Sequence, residues 1–197
     1  MPFFPLFVDL AGKSCVVVGG GRVAARKARA LADFGAFVTV VDGSPSREIA
    51  GLCASCPGGG GVGLLRRAYG GPGDLAGAAL VVAATDSREL NAGVARDARA
   101  AGIPVNAADS PDLCGFFFPA LVRRGELVAG ISTSGACPRL AARLRLRLEE
   151  DWPEDFAGFL EGLRGERGRL KEGCPPEEVM ERLDGLISEF LGRPRAS

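Results

Sequence analysis

Residues 14–32 read SCVVVGGGRVAARKARALA. The first five, Ser14 to Val18, form a short β-branched run of the kind that fills the middle of a sheet. Three glycines follow, and the alanine-rich stretch from Arg22 to Ala32 then favours a helix. Strand, glycine turn and helix in this order make Gly19 to Ala24 (GGGRVA) a G-x-G-x-x-A motif in its structural setting. There Gly19 permits the tight turn, Gly21 lets backbone approach a pyrophosphate, and the small Ala24 permits close helix packing. The helix N-terminus at Arg22 and Val23 offers unpaired N–H groups and a favourable dipole to phosphate. A second strand, residues 36–41 (AFVTVV), ends at Asp42. An acid about 20 residues beyond the turn can accept from a ribose 2′-hydroxyl and repels a 2′-phosphate. The expected cofactor is therefore NAD rather than NADP. The other reading is a glycine turn in a sheet domain that binds no nucleotide.

Outward from this unit the alternation continues. Glu48 to Ala54 reads as a short helix, and residues 57–63 (PGGGGVG) read as a flexible loop without chemistry of its own. Leu64 and Leu65, with the following residues to Tyr69, suggest a weak third strand. Leu80 to Thr85 (LVVAAT), a helix over Glu89 to Ala101, and Ile103 to Asn106 (IPVN) complete the series. Strands alternating with helices predict an α/β domain with a parallel sheet covered on both faces. After Asp109 the pattern changes. Phe116 to Phe118, Leu121-Val122, a turn at Arg124 to Glu126 and then Leu127 to Ser132 read as an antiparallel pair. Arg139 to Glu150 is a charged helix with Leu140, Leu144 and Leu148 on one face. Pro153 ends it, and Asp155 to Leu170 and Pro176 to Leu191 are polar helices too thin in apolar residues to fold alone. They are expected to pack on the sheet domain or on a second subunit.

Composition narrows the chemistry. The 197 residues include 24 basic and 24 acidic side chains and no histidine. A Ser-His-Asp triad, a Cys-His dyad and a His-containing zinc site are excluded, so proton chemistry falls to other groups or to a cofactor. Balanced charge and a pI near 6.4 argue against a general nucleic-acid binder. Only Lys13, Lys27 and Lys171 are lysines, a bias that base composition of the genome accounts for. Six cysteines in a chain of this length, with no basic leader before the apolar start, suggest reduced thiols and a cytoplasmic location. No apolar run approaches the roughly 18 residues of a membrane span.

Three further features bear on function. Asp109 follows the fifth strand in the loop NAADSP (106–111), beyond the C-terminal strand edge where ligands of open α/β sheets bind. It can serve as a base at the crevice or as a turn residue. In ISTSGACP (131–138), Ser132, Thr133 and Ser134 precede a helix whose first turn carries Arg139. That segment can bind an anionic substrate or cap the helix. Cys53 and Cys56 have the spacing of half a zinc site, but no second pair follows, and no metal site is expected.

Taken in order, LFVDLAGK (6–13), VVVGGGRVAARKARAL (16–31), AATD (83–86) with Asn91, VNAADSP (105–111), FFFPALVRRGEL (116–127) and ISTSGACP (131–138) resemble the precorrin-2 dehydrogenase family of siroheme synthesis. Its members are often also sirohydrochlorin ferrochelatases and occur alone or as the N-terminal part of siroheme synthases. The resemblance implies a Rossmann-type domain over residues 1–113, a dimerisation segment over 114–150 and a helical region over 151–197. It also implies a homodimer whose active sites draw on both subunits. Carried over by position, Gly19, Gly21, Arg22, Val23, Asp42, Gly43, Ser44 and Thr85 fall in the NAD site, and Asp109 on the family's essential aspartate. Ser132, Thr133, Ser134 and Arg139 are the candidate substrate contacts. Thr133 stands where some members carry a phosphorylatable serine, and no modification is expected here. Two departures stand out: Ala136-Cys137-Pro138 replaces a Lys-Ser-Pro-like run, leaving Arg139 as the nearby cation, and a histidine suggested for some relatives is missing.

The implied reaction is NAD-dependent oxidation of precorrin-2 to sirohydrochlorin, a tetrapyrrole substrate and product, with Fe²⁺ or Co²⁺ as substrate of a second, chelatase activity. A rival from another class is an NAD-sensing regulatory module without turnover. With no enzyme imidazole, the rate profile should lack a histidine step near pH ~6.5.

Overall fold

The computed structural model describes residues 3–54, 60–152 and 154–192. The chain divides into two compact units, one over Leu6–Phe118 and one from Pro119 onward together with the first residues of the chain.

In the first unit, strands β1 (Ser14–Val18), β2 (Phe37–Val41), β3 (Gly61–Leu65), β4 (Leu80–Ala83) and β5 (Val105–Ala107) alternate with helices α1 (Arg22–Ala32), α2 (Arg47–Ala54) and α3 (Arg88–Ala100). All strand pairs are parallel, in the order β3-β2-β1-β4-β5, so the order reverses between β1 and β4. The β-branched runs explain the sheet's double cover. Val17, Val38, Val40 and Val82 face α1 and α2 with Ala24, Ala28 and Ile49, while Val16, Val18, Val81 and Val105 face α3 with Val94 and Ala98. Each fully buried valine stabilises the fold by about 1.5–3 kcal/mol relative to exposure. Alanines at 24 and 28, both 0% exposed, let α1 approach the sheet closely.

Several expected boundaries move. The third strand is Gly61–Leu65 and stops before Arg66, so residues 61–63 of the expected loop are strand. Its register comes from pairing along β2, Phe37 opposite Gly61 to Val41 opposite Leu65, which local composition could not supply. Residues 55–59 of that loop lie outside the described residues, as do Cys56 and Pro153. Tyr69 is not in a strand; its hydroxyl donates to Asp97 Oδ2 at 2.9 Å. β5 starts at Val105, because Pro104 has no N–H to donate and contributes only its carbonyl, to Val81 N at 3.0 Å. β4 ends at Ala83 because Thr85 is claimed by Asn91. Phe116 and Phe118 do not join an antiparallel pair. They pack against the first unit's core, ring centroids 5.4 Å apart.

In the second unit, β6 (Ala120–Arg124) and β7 (Leu127–Ile131) form an antiparallel hairpin. Gly125 turns it at φ 59°, the left-handed conformation a two-residue hairpin loop requires. Helices α4 (Pro138–Asp151), α5 (Phe156–Lys171) and α6 (Pro176–Leu191) follow. Arg124 reaches from the hairpin to the end of α4, donating to the carbonyls of Trp152 at 2.7 Å and Glu149 at 3.0 Å, where the helix has unpaired acceptors. The two last helices are held together by aromatic contacts: Phe190 stacks on Phe159 at 3.8 Å and meets Phe156 edge-on at 4.8 Å. Leu140 and Leu144 of α4 are 49% and 42% exposed, so among the described residues part of the leucine face read in the sequence is left uncovered. Among the described residues, no helix is long and apolar enough to cross a membrane, and no cluster of three metal-ligating side chains occurs. Cys15, Cys53, Cys114, Cys137 and Cys174 are free thiols.

Candidate active site

The reversal of strand order between β1 and β4 opens a crevice at the C-terminal edge of the sheet, the place where such sheets bind ligands. Gly19 leaves β1 there at φ 120°. A Cβ on it would stand 2.3 Å from the Ala84 carbonyl oxygen, so the close approach of the β1 and β4 ends depends on glycine. Gly20 matters for a different reason: a Cβ there would stand 2.7 Å from Asp42 Cγ and 2.8 Å from Pro45 Cα. That constraint was not legible in the motif, which leaves this position free. Gly21 faces open space, with nothing within 4 Å of a Cβ position.

Gly21 is the N-cap of α1, with no side-chain cap and no acidic residue in the first turn. The first intrahelical amide is that of Ala25, which donates to Gly21 at 3.0 Å. The amides of Arg22, Val23 and Ala24 are therefore left without intrahelical partners, pointing out of the helix start beside an open Gly21. Such a start is suited to serve as a phosphate cradle.

Asp42 ends β2 next to that cradle. Its Oδ1 accepts the Ser44 amide at 2.7 Å, which fixes the carboxylate over the turn that holds Gly43. Among the described residues no hydrogen bond reaches its second oxygen. On the other side, the Thr85 amide and hydroxyl donate to Asn91 Oδ1 at 3.0 and 2.8 Å, and Asn91 Nδ2 returns a bond to the Thr85 carbonyl at 3.0 Å. Asn91, 2% exposed, thereby sets the backbone path where β4 leaves the sheet. These features fit an extended dinucleotide: unpaired amides for the pyrophosphate, an acid for a ribose, and a rigid wall at Thr85.

Asp109 stands at the same edge, two residues beyond β5, exposed and at φ 56°. A non-glycine residue held in the left-handed region marks a conformation imposed by its surroundings. The nine positions proposed for cofactor and catalysis, Gly19, Gly21, Arg22, Val23, Asp42, Gly43, Ser44, Thr85 and Asp109, thus all lie at strand ends or first helical turns of the first unit.

Ser132, Thr133, Ser134 and Arg139 belong to the second unit. There the Thr133 hydroxyl accepts the Cys137 amide at 3.1 Å, and Ser132 Oγ accepts the Ser134 amide at 3.1 Å. Ser134, at φ 52°, accepts the Phe3 amide at 3.4 Å. The hydroxyls therefore shape the turn before α4, and Arg139 is exposed in its first turn.

Sequence reading passed over Lys27 and Asn106, both buried near this edge. The available signal was helical spacing: Lys27 lies three residues after Ala24 and four before Leu31, on the buried face of α1.

Residues 6–120 match a family model described as "Putative NAD(P)-binding". A siroheme synthase of Pseudomonas paraeruginosa is 47% identical over 176 residues, which is 89% of this chain and 37% of that protein. A siroheme synthase of Methylococcus capsulatus is 41% identical over 201 residues, 100% of this chain and 41% of that protein. The chain thus spans well under half the length of the curated relatives it matches. Among solved structures, SirC, a precorrin-2 dehydrogenase, superposes with a TM-score of 0.75 at 27% identity, covering 97% of this chain and 93% of that one. The glycine cradle, the parallel sheet that carries it and the match over residues 6–120 together show that the chain belongs to the NAD(P)-binding family, in the group represented by siroheme synthases and SirC.

Proposed function

We propose that the chain is an NAD-dependent dehydrogenase that oxidises precorrin-2 to sirohydrochlorin. The observation that carries this reading is the meeting, at one sheet edge, of an uncapped phosphate cradle at Gly21 and an exposed carboxylate at Asp109, in a chain without histidine. The similarity to SirC supports the substrate.

Bound NAD⁺ supplies the hydride acceptor. The chain's own residues bind, orient and handle the proton. Arg22, Val23 and Ala24 hold the pyrophosphate through their amides, and Asp42 selects a ribose 2′-hydroxyl over a phosphate. Thr85 walls the nicotinamide side. Asp109 faces the macrocycle, orients it, offsets positive charge that develops as hydride leaves, and accepts the departing proton. Ser132, Thr133, Ser134 and Arg139 engage the acetate and propionate side chains, with the guanidinium as the pairing cation.

The uncovered leucines of α4 support a homodimer through this helix, with the 114–150 segment as its dimerisation element. Insertion of Fe²⁺ or Co²⁺ into sirohydrochlorin is a second proposed activity, in line with the likeness to siroheme synthases. In it a carboxylate at the crevice would assist loss of the pyrrole protons as the ion enters.

The test is anaerobic incubation of the pure protein with precorrin-2 and NAD⁺. NADH and sirohydrochlorin formed together support the dehydrogenase, whereas tight NADH binding without turnover identifies a sensor. Incubation with sirohydrochlorin and Fe²⁺ in the absence of NAD⁺ decides the chelatase: metallation at the uncatalysed rate removes it.

A further inference from the structure

Lys27 sits on α1 less than two turns after the phosphate cradle, yet its side chain enters the domain and the residue is 8% exposed. An ammonium is costly to bury unless its protons find acceptors. Here Nζ donates to Asn106 Oδ1 at 2.5 Å and lies 5.6 Å from the centre of the Phe118 ring. Asn106 is itself 5% exposed, in the middle of β5. Because its oxygen is turned to the ammonium, its amide nitrogen faces the other way and donates to the Phe116 carbonyl at 2.9 Å. A second tie lies alongside. Cys114 Sγ accepts the Ala107 amide at 3.3 Å and contacts the carbonyls of Ala107 at 3.2 Å and Ser110 at 3.4 Å.

These bonds close both limbs of one loop. Asn106 and Ala107 lead into it, Cys114 and Phe116 lead out, and Asp109 lies between them at φ 56°. The left-handed conformation costs an aspartate on the order of 1 kcal/mol or more. Among the described residues no hydrogen bond reaches the Asp109 carboxylate, so its own side chain does not hold that shape. The restraint comes from the limbs.

We propose that Lys27 and Asn106 form a buried polar strut that holds the Asp109 loop in its left-handed conformation, which makes Lys27 a positioning residue for Asp109. The proposal rests on the reading of Asp109 as the group at the reaction centre. It also gives a reason for lysine at this position in a chain that otherwise uses arginine, with three lysines among 24 basic residues. A compact ammonium on a flexible stem can reach a single amide oxygen from within a helix, whereas a planar guanidinium needs a fork of acceptors. The electrostatics agree with the geometry. Burial pulls the Lys27 ammonium below its ordinary value, while Cys114 raises it, Arg26 lowers it and Asp109 raises it.

The test uses the whole chain with Lys27→Met, which keeps the length and apolar volume without the donor, and Asn106→Asp, which keeps an acceptor for Lys27 but loses the donor to Phe116. Three quantities are measured: NAD⁺ affinity, kcat for NADH formation from precorrin-2, and the alkylation rate of Cys114 followed by peptide mass spectrometry, with exposed Cys53 and Cys137 as internal references. Both variants should keep NAD⁺ affinity within about twofold, lose about tenfold or more in kcat, and alkylate Cys114 several-fold faster. A merely stabilising role would instead lower the melting temperature and NAD⁺ affinity together while leaving kcat of the folded fraction unchanged. If Lys27→Met does not fold, Lys27→Arg, whose planar guanidinium lacks the fork of acceptors it needs, takes its place with the same expected outcomes. Unchanged kcat, or unchanged Cys114 alkylation, in a folded variant overturns the proposal. Should the wild-type protein form no NADH, the dehydrogenase reading falls on that result, and the Cys114 rates still decide whether the strut holds the loop.

Discussion

The Asp42 side chain lies directly over Gly20, so that a Cβ on the glycine would stand 2.7 Å from the aspartate Cγ. The glycine turn and the acid at the end of β2 are thus one packed unit rather than two separate features. Substituting Gly20→Ala should displace Asp42, destabilise the protein by about 1–3 kcal/mol and weaken NAD⁺ binding as well. Gly21→Ala separates the two effects. Its Cβ would enter open space, so stability should change by less than about 0.5 kcal/mol while NAD⁺ affinity falls at least about tenfold. Thermal melts with NAD⁺ titrations on both variants check this.

Asp42 presents one free carboxylate oxygen at the cradle, the other being held by the Ser44 amide. Asp42→Asn should lower NAD⁺ affinity by about tenfold and raise the ratio of NADP⁺ to NAD⁺ affinity, because repulsion of a 2′-phosphate is lost along with a charged acceptor. Equal loss of affinity for both cofactors would place the ribose elsewhere.

How much of this could be read from the chain follows the range of the forces involved. β1, the glycine turn and α1 are specified by neighbours in sequence, as are β2 and the hairpin turn at Gly125. β3 was not, because Gly61 and Gly63 carry no pattern and become strand only by pairing along β2. The placement of Phe116 and Phe118 was misread because an aromatic run has no period of its own, and the sheet core decides where it packs. Lys27 and Asn106 are 79 positions apart, so their bond has no local signature beyond the helical spacing that turns Lys27 inward. The candidate residues of the second unit were legible as a turn before a helix, and the hydrogen bonds of Thr133 and Ser132 show how that turn is made.

Acid should weaken the fold through Asp74. Its carboxyl is held down to about 2, from an ordinary 3.8, by the Arg67 side chain at 2.6 Å and by the Gly70 amide at 2.8 Å. A depressed carboxyl stabilises the folded state fully above its unfolded value and loses that contribution as pH falls through the folded one. The melting-temperature gap between wild type and Asp74→Asn should therefore be constant above about pH 4 and close towards about pH 2. A gap that stays constant to pH ~2 would mean that the pairing does not discriminate between protonation states.

The exposed leucines of α4 make assembly testable. Leu144, 42% exposed, and Leu140, 49% exposed, should lie in the dimer contact, so Leu140→Glu combined with Leu144→Glu should convert a dimer to monomers in light scattering. NAD⁺ affinity should stay within about twofold, since the cradle belongs to the other unit. A wild-type monomer, or a dimer unmoved by both substitutions, removes this helix from the interface.

Asp109 at φ 56° is best replaced by asparagine, which tolerates the left-handed region while removing the charge. The anaerobic rate of NADH formation from precorrin-2 should then be measured for wild type and Asp109→Asn side by side, with NAD⁺ affinity determined on the same samples. The expected result is turnover by the wild type and a loss of about 100-fold or more in kcat for Asp109→Asn, at unchanged NAD⁺ affinity. Wild-type protein that binds NAD⁺ but forms no NADH, or a variant that turns over as fast as wild type, would contradict it.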